Sequence, residues 1–383
     1  MRIAATDYID HAVSHPSTLD ANKGELVNLF VRERDGTADG QQRRAVLMLH
    51  GRSVPALAGF DLGTGDYNWS LFLAQAGFDV FVMDLQGSGR STRPQVMDDP
   101  RNVNPVQQSP LVPKTLSALS PATYPKSLND SASDWAEVDR VVRYIRRLRG
   151  VDKVALVGWS AAAFQLGPYA MQNPDLVSNL LLLAPMFPPK RRTPVPQTLP
   201  VSTPCPVYGF PMSVITQESF REAWEKEQRC RSQRDDGIVD TVWRAILDED
   251  PVGRTWGPGV SRWRNAYWWG WNEQVVGADT KLGAEVPVFL VYGEHDTAAN
   301  TPESAGELLH FSVPKLYGAI QGRRKLMYRV QCTGHFMVWE RQFKELRKLS
   351  REWLEQNKID GNETGTFFVD VNGNRTPMDF PAA

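Results

Sequence analysis

Six apolar runs of strand length divide the chain. They lie at residues 45–50, 78–84, 154–158, 180–184, 286–292 and, more weakly, 325–331. The first four each end at or beside a glycine, an aspartate or a proline. Runs without polar alternation are typical of strands that are buried on both faces of a sheet.

Amphipathic segments separate these runs. Before the third run, Asp134 and Glu137 form an N-terminal capping signal, and Gly150 gives a C-terminal stop. The apolar residues between them recur every three or four positions: Trp135, Val138, Val142, Ile145 and Leu148. A last helix is predicted over 336–356. Strands alternating with helices predict an α/β fold, in which helices cover a largely parallel sheet on both sides.

Two segments interrupt the alternation. Residues 93–131 contain seven prolines and many small polar residues, which indicates an irregular excursion. Residues 187–284 hold seven of the 12 tryptophans and are predicted to form a mainly helical cap. The sheet domain then comprises residues 1–186 and 285–360, and residues 361–383 form a polar C-terminal tail without helical periodicity.

Net charge and the length of the apolar runs limit the classes of molecule that the protein is expected to bind. The 383 residues include 43 basic and 44 acidic side chains, so no overall electric field attracts nucleic acid or an anionic membrane. The apolar runs are too short to span a bilayer, and charged residues interrupt residues 1–30, where a secretory signal would lie. We therefore expect a cytoplasmic protein without nucleic-acid or membrane partners.

The cysteines support the same location. Cys205, Cys230 and Cys332 match neither a disulfide framework nor a zinc pattern, which favours a reducing cytoplasm and no metal site. A bridge between Cys205 and Cys230 stays open for the case that a longer precursor is secreted.

The strongest chemical signal follows the run at 154–158. Gly158, Ser160 and Ala162 alternate with other residues at the passage from a strand to a helix. A sharp turn of this kind exposes a serine hydroxyl above the sheet, and the turn crowds the positions two before and two after the serine, so both must be small. The alternative is an ordinary turn between a strand and a helix.

Later segments supply partners for this serine. The strand at 286–292 leads to Asp296, and His335 follows in a loop before the last helix. A serine hydroxyl needs an imidazole to take its proton, and the imidazole needs a carboxylate that fixes its tautomer. His335 is favoured as the base by elimination among six histidines. Asp296 is favoured as the acid, with Glu294 as the alternative.

The first strand ends at His50 and Gly51, where a sheet of this kind builds an oxyanion hole. We expect the backbone N–H of Ala161 and a second N–H, from Arg52 or Ser53, to face a developing oxyanion. The side chain of Arg52 is expected to point to solvent rather than to bind a substrate anion.

Together these motifs resemble the α/β-hydrolase superfamily, in its serine hydrolase branch. The resemblance covers about residues 45–356 outside the excursion and the cap, and it rests on five segments: His50-Gly51, Asp84-Leu-Gln-Gly-Ser-Gly-Arg-Ser91, Gly158-Trp-Ser160-Ala-Ala162, Gly293-Glu-His-Asp296 and Gly334-His335. It implies an α/β-hydrolase fold, into which the predicted cap is inserted. Epoxide hydrolases and dehalogenases of this fold carry an aspartate where this chain has Ser160, so those activities are not expected.

The resulting hypothesis is a cofactor-independent hydrolase of a small-molecule carboxylic ester or lactone, which acts through an acyl-enzyme on Ser160. Hydrolysis of a carbon–carbon, amide or thioester bond, or acyl transfer, would use the same residues. A ligand-binding receptor or scaffold that has kept the fold is the alternative outside enzymes. A homodimer also stays open.

The tryptophans bear on the substrate. Trp263, Tyr267 and Trp271 are four residues apart, which predicts one stripe on a helix. Either the stripe packs the cap, or aromatic residues roof the site and select an apolar or aromatic substrate of small to medium size. The substrate-binding candidates are Trp159, Trp268, Trp269 and Trp271.

Overall fold

The predicted strands form the centre of a large sheet in the computed structural model, which describes residues 7–104, 107–108, 111, 122–124, 126–190, 210–306 and 309–379. The described strands are β1 (Ile9–Pro16), β2 (Leu26–Asp35), β3 (Ala45–Leu49), β4 (Asp79–Met83), β5 (Asn129–Asp130), β6 (Val154–Trp159), β7 (Val177–Leu183), β8 (Met212–Thr216), β9 (Val260–Arg264), β10 (Ala266–Tyr267), β11 (Val288–Gly293), β12 (Lys325–Val330), β13 (Gly365–Val369) and β14 (Arg375–Pro377).

Ten of these strands join one sheet in the order β1-β2-β4-β3-β6-β7-β11-β12-β13-β14. The seven strands from β4 to β13 pair in parallel, and β1, β2 and β14 are antiparallel. Every residue of β3, β4 and β6 is buried, as expected for strands that are covered on both faces. The predicted α/β fold is therefore confirmed.

The described helices pack around this sheet or lie in the segment predicted as the cap. They are α1 (Ala56–Phe60), α2 (Trp69–Gln75), α3 (Ser131–Arg149), α4 (Ala163–Gln172), α5 (Gln217–Glu225), α6 (Ile238–Asp248), α7 (Glu273–Ala278), α8 (Val313–Ala319) and α9 (Phe343–Gln356). α3 packs on α4, and α2 packs on α9 through a hydrogen bond from Trp69 Nε1 to Ser350 Oγ of 3.0 Å. Within the described residues, no helix has the length and apolarity that crossing a bilayer needs.

The start of α3 differs from the sequence prediction. Asp130 caps the helix, because its side chain accepts from the backbone N–H of Ser133 and the Ser133 hydroxyl accepts from the N–H of Asp130. Asp134 and Glu137, which were predicted to cap it, are buried inside the helix, one and two turns after Asp130. The end is as predicted, at Gly150 in a left-handed conformation.

The segment predicted as a mainly helical cap contains strands as well as helices. β8 and β9 pair antiparallel, and α5 and α6 lie between them in sequence. The predicted helical stripe is wrong, since Trp263 lies on β9, Tyr267 lies on β10, and Trp271 lies in the loop before α7. The spacing of four residues is therefore not helical periodicity.

The described part of the proline-rich excursion packs on the same segment. β5 pairs in parallel with β10, and Val103 bridges to Met212 at the start of β8. A second apolar cluster contains Met97, Val103, Leu128, Met212 and Val260 among its buried members. Both insertions thus contribute to one small core.

The predicted polar tail contains two strands that the sequence did not predict. β13 pairs in parallel with β12, and β14 returns antiparallel to β13. Phe367 supplies the side-chain contact, stacking on Tyr328 of β12 with ring centroids 4.9 Å apart. Residues 365–377 therefore extend the main sheet.

The cysteine prediction needs correction too. Cys230 and Cys332 form a disulfide with a Cα–Cα distance of 5.6 Å, although 102 residues separate them in sequence. Cys205, the partner considered for Cys230, lies outside the described residues.

Candidate active site

Ser160 lies on a tight turn between β6 and α4. Its φ angle is +59°, a left-handed conformation that is uncommon for a residue with a side chain. A Cβ atom on Gly158 would lie 2.9 Å from Leu166 Cδ1 and 3.1 Å from Ala162 Cβ, which explains why both flanking positions are small. The turn therefore has the crowding expected around an exposed nucleophile.

A hydrogen-bonded chain links the three residues predicted as catalytic. His335 Nε2 lies 2.9 Å from Ser160 Oγ, and His335 Nδ1 lies 3.1 Å from each carboxylate oxygen of Asp296. All three residues are buried. Asp296 Oδ1 also accepts from the backbone N–H groups of Ala298 and Ala299, at 2.9 and 2.8 Å. These bonds fix the carboxylate under the imidazole.

The alternative acid, Glu294, is engaged elsewhere. One of its oxygens accepts from the backbone N–H of Cys332 at 3.3 Å, and the other lies 3.7 Å from Arg329 Nη2. Of the two carboxylates, the structure brings Asp296 to His335.

Charges around His335 favour its protonated form. Burial alone lowers the pKa of this imidazole, but the charge and hydrogen bond of Asp296, with the charges of Glu227 and Glu340, outweigh burial and raise the pKa above its ordinary value. The site can therefore stabilise the imidazolium that forms when a base takes the serine proton.

Glu227, which sequence reasoning missed, connects the loop that carries His335 to the loop that follows Asp296. It lies in the cap segment, just after α5, and one of its oxygens accepts from the backbone N–H of His335 at 2.6 Å. The other oxygen accepts from the backbone N–H and the hydroxyl of Thr297 at 2.6 and 2.8 Å. Burial and the nearby Asp296 charge raise the pKa of Glu227. The disulfide at Cys230 ties the same cap segment to the His335 loop.

A second buried carboxylate, that of Glu340, accepts hydrogen bonds at the start of the loop that carries His335. Glu340 accepts from the backbone N–H of Gly334 at 2.7 Å and from Trp224 Nε1 at 2.7 Å. A Cβ on Gly334 would lie 2.4 Å from Glu227 Oε2, so a larger residue would displace that carboxylate. The loop of His335 is thus held between two carboxylates, only one of which belongs to the sheet domain.

The loop that carries two of the predicted oxyanion residues approaches Ser160 at Gly51. A Cβ on Gly51 would lie 3.3 Å from Ser160 Cβ, and Gly51, Arg52 and Ala161 line one cavity. Ser53 lines a neighbouring cavity, to which Arg52 also contributes. The Arg52 side chain is partly exposed, and its guanidinium lies 5.6 Å from the ring centroid of Trp263.

His50 is neutral in this setting. Burial lowers its pKa, its Nε2 accepts from the backbone N–H of Leu85 at 3.2 Å, and its Nδ1 donates to the Gly51 carbonyl. The imidazole therefore fixes the loop beside Ser160.

Of the four tryptophans predicted to bind substrate, Trp268 lines the cavity beside Ala161. Trp159 is buried against Trp339, and its Nε1 donates to the His335 carbonyl. Trp269 packs edge-on to Trp135, with ring centroids 6.0 Å apart. Trp271 fills the space above Gly167, where a Cβ would lie 2.3 Å from the indole.

Asn129, Asp134, Gln165 and Arg264 are polar residues near the cavity that were not singled out for a site. The sequence pattern could have revealed Asp134 as a buried acid. Positions 134, 138, 142 and 145 follow the helical period, so Asp134 lies on the buried face of α3. No such pattern reveals Glu227 and Arg264, since their positions depend on how the cap folds. No group of three or more potential metal ligands occurs in the described ranges.

Comparison with solved structures shows the same fold. A serine hydrolase of Cycloclasticus zankles matches with a TM-score of 0.52 and 14% identity, covering 92% of this chain and 100% of its own. The carboxylesterase CesB of Bacillus subtilis matches with a TM-score of 0.51 and 11% identity, covering 92% of this chain and 93% of its own.

Sequence comparison adds the family. Among curated proteins, no match is found. The sequence model described as the alpha/beta hydrolase family matches residues 46–349, a span that includes Ser160, Asp296 and His335. The chain belongs to the alpha/beta hydrolase family.

Proposed function

We propose that this protein is a serine hydrolase that cleaves a carboxylic ester or lactone through an acyl-enzyme on Ser160. One observation carries the proposal: Ser160 Oγ lies 2.9 Å from His335 Nε2, while His335 Nδ1 lies 3.1 Å from Asp296. Nucleophile, base and orienting acid are thus within hydrogen-bond reach in the order that this chemistry requires.

The reaction begins when Ser160 Oγ attacks the substrate carbonyl carbon and His335 Nε2 takes the hydroxyl proton. The carbonyl π bond breaks and its electron pair moves to the oxygen. Collapse of this tetrahedral intermediate expels the alcohol, which leaves with the proton from His335. Water then attacks the acyl-enzyme, with His335 again as base, and releases the acid and free Ser160.

Backbone donors stabilise the oxyanion in this proposal. Ala161 directly follows Ser160 at the start of the turn, and Gly51 packs against the Ser160 side chain. The N–H of Ala161 and the N–H of Arg52 or Ser53 would donate to the oxyanion, and donors fixed before the reaction avoid reorganisation.

Kinetics of single and double variants test the proposal. Ser160→Ala and His335→Ala are each expected to lower kcat for p-nitrophenyl acetate by three to six orders of magnitude, and the double variant should be no slower, because these residues act as one unit. Ser178→Ala, on the adjacent strand β7, is the control and should keep wild-type turnover. Additive losses, or near-normal turnover by Ser160→Ala, would contradict the proposal.

The scissile bond is tested with a substrate panel. Esters, lactones, thioesters, amides and β-diketones are offered to the same enzyme preparation, and only activity that Ser160→Ala abolishes counts. Ser160-dependent cleavage of esters or lactones above the other classes supports the proposed bond. A higher kcat/KM for another class would reassign the bond while keeping the nucleophile.

A further inference from the structure

The cavity beside the predicted oxyanion residues has a polar wall. Its volume is about 20 Å³, which is room for one water-sized polar group. Gly51 and Ala161 line it on the side of Ser160. Asn129, Gln165, Arg264 and Trp268 also line it, and these four side chains come from the excursion, α4, β9 and the loop after β10.

One buried carboxylate orients all four of these side chains. Asp134 is fully buried and accepts from Asn129 Nδ2 at 3.0 Å, Gln165 Nε2 at 2.7 Å, Trp268 Nε1 at 2.9 Å and Arg264 Nη2 at 3.0 Å. It is held on α3, the long helix that packs on the main sheet. The four groups thus converge on one acid of the rigid sheet domain, although they come from separate segments.

Two polar atoms of this wall are left without a hydrogen bond. Arg264 Nη1 and Asn129 Oδ1 make no hydrogen bond to any part of the chain that the structure describes. Both residues are more than nine-tenths buried, at 6% and 4% exposure. Buried donors and acceptors are normally satisfied, so this donor and this acceptor, on two residues that line the same cavity, can both receive a small hydrogen-bonding group.

The charge of the wall is already balanced. The guanidinium of Arg264 pairs with Asp134, and Glu137 Oε1 lies 3.8 Å from Arg264 Nη1. Burial raises the pKa of Glu137 to about 7, so this second acid is partly charged near neutral pH. The neighbouring His50 is neutral. An anionic ligand would therefore meet two carboxylates around one arginine, which disfavours it.

We propose that this cavity binds a neutral, hydrogen-bonding group of the substrate, such as a hydroxyl, that accepts from Arg264 Nη1 and donates to Asn129 Oδ1. The inference rests on the proposed function and narrows its substrate class: the group close to the scissile bond is polar rather than apolar. A hydroxyl supplies both an acceptor and a donor in a volume that the cavity accommodates.

In this inference Asp134 is a positioning residue, since it does not line the cavity itself. Its carboxylate fixes the positions of the Arg264 guanidinium and the Asn129 amide relative to each other. Trp268 completes the wall as a rigid face, because its ring stacks on Phe164 with centroids 4.6 Å apart and an interplanar angle of 18°.

Matched substrates test the inference. On the acyl side, p-nitrophenyl 3-hydroxybutyrate is compared with p-nitrophenyl 3-methylbutyrate, which replaces the hydroxyl by a methyl group. On the alcohol side, 2-hydroxyethyl acetate is compared with propyl acetate. We expect a 10- to 100-fold higher kcat/KM for the hydroxyl compound in one of the two arms, which also identifies the side that enters the cavity.

Two arginines on β9 offer a matched pair of variants. Arg264 and Arg262 are both buried and both pair with a buried aspartate, but Arg262 pairs with Asp250 and does not line this cavity. Arg264→Met should reduce the preference for the hydroxyl compound to about onefold, whereas Arg262→Met should keep the wild-type preference. Asn129→Ala leaves the arginine–aspartate pair in place, and it carries the same test if Arg264→Met does not fold.

The outcomes separate the two proposals. Ser160-dependent cleavage of the methyl compounds supports the serine hydrolase whatever the cavity binds. Equal kcat/KM values for hydroxyl and methyl compounds in both arms would overturn the cavity inference alone. A higher kcat/KM for p-nitrophenyl hydrogen succinate than for the hydroxybutyrate would overturn it as well, as would an equal loss of preference in Arg262→Met and Arg264→Met.

Discussion

Glu227 offers the sharpest test of how the cap segment supports the proposed chemistry. Glu227→Gln keeps the shape of the side chain but replaces one carboxylate oxygen by an amide group that donates. The remaining oxygen can still accept from the backbone N–H and hydroxyl of Thr297. The backbone N–H of His335, which now donates to Glu227 at 2.6 Å, then faces a donor and is left unsatisfied.

The expected cost follows from this single loss. An unsatisfied buried donor costs about 1–3 kcal/mol of unfolding free energy. For a chain of 383 residues, that lowers Tm by about 1–4 °C. The substitution also removes a negative charge that raises the pKa of His335, so that pKa falls. Because the base must be neutral to act, the acidic limb of the activity profile moves to lower pH.

The assay is kcat/KM for p-nitrophenyl acetate as a function of pH, together with thermal unfolding. Glu227→Asp is the control: it keeps the charge but shortens the side chain, so it should lose stability without moving the acidic limb in the same direction. An unchanged limb and an unchanged Tm in Glu227→Gln would refute the role assigned to this carboxylate.

Three further predictions follow from the same geometry. Asp296→Asn should lower kcat far more than Glu294→Gln, since Asp296 alone of the two contacts His335; comparable losses would leave the acid unassigned. Cys230→Ser should lower the unfolding free energy in urea by about 2–4 kcal/mol, and reductant should bring the wild type to the same value; a reductant-insensitive wild type would argue against the bond to Cys332. Gly158→Ala should lose about 1–3 kcal/mol and most activity, because its methyl group meets Leu166; wild-type values would contradict the crowded turn.

The sheet and the geometry around Ser160 were accessible from sequence because each depends on local pattern. The run at 154–158 is a buried strand, and the small residues at Gly158 and Ala162 reflect the crowding of the turn that follows. Asp296 was predicted because it follows the carboxyl end of a predicted strand, and His335 was favoured by elimination among the histidines. The structure places both within hydrogen-bond reach of one another.

The features that sequence did not predict depend on long-range pairing. The strand β13 is short and only partly buried, so the sequence has no apolar run that predicts it. Its position in the sheet is fixed by pairing with β12. The disulfide of Cys230 joins residues that 102 positions separate. Asp134 was predicted to cap the helix because an acid near the start of a helix can either cap it or be buried in its first turn. The burial of the residues around Asp134, which the sequence does not show, decides between these two roles.

Labelling by a fluorophosphonate probe tests the central claim most directly. The probe phosphonylates a serine only where a base activates it, so intact mass and peptide mapping report the nucleophile without assuming a substrate. The account predicts one adduct per chain, located on Ser160, and no adduct in folded Ser160→Ala. A folded wild-type chain that stays unlabelled, or an adduct that persists in Ser160→Ala, would contradict it.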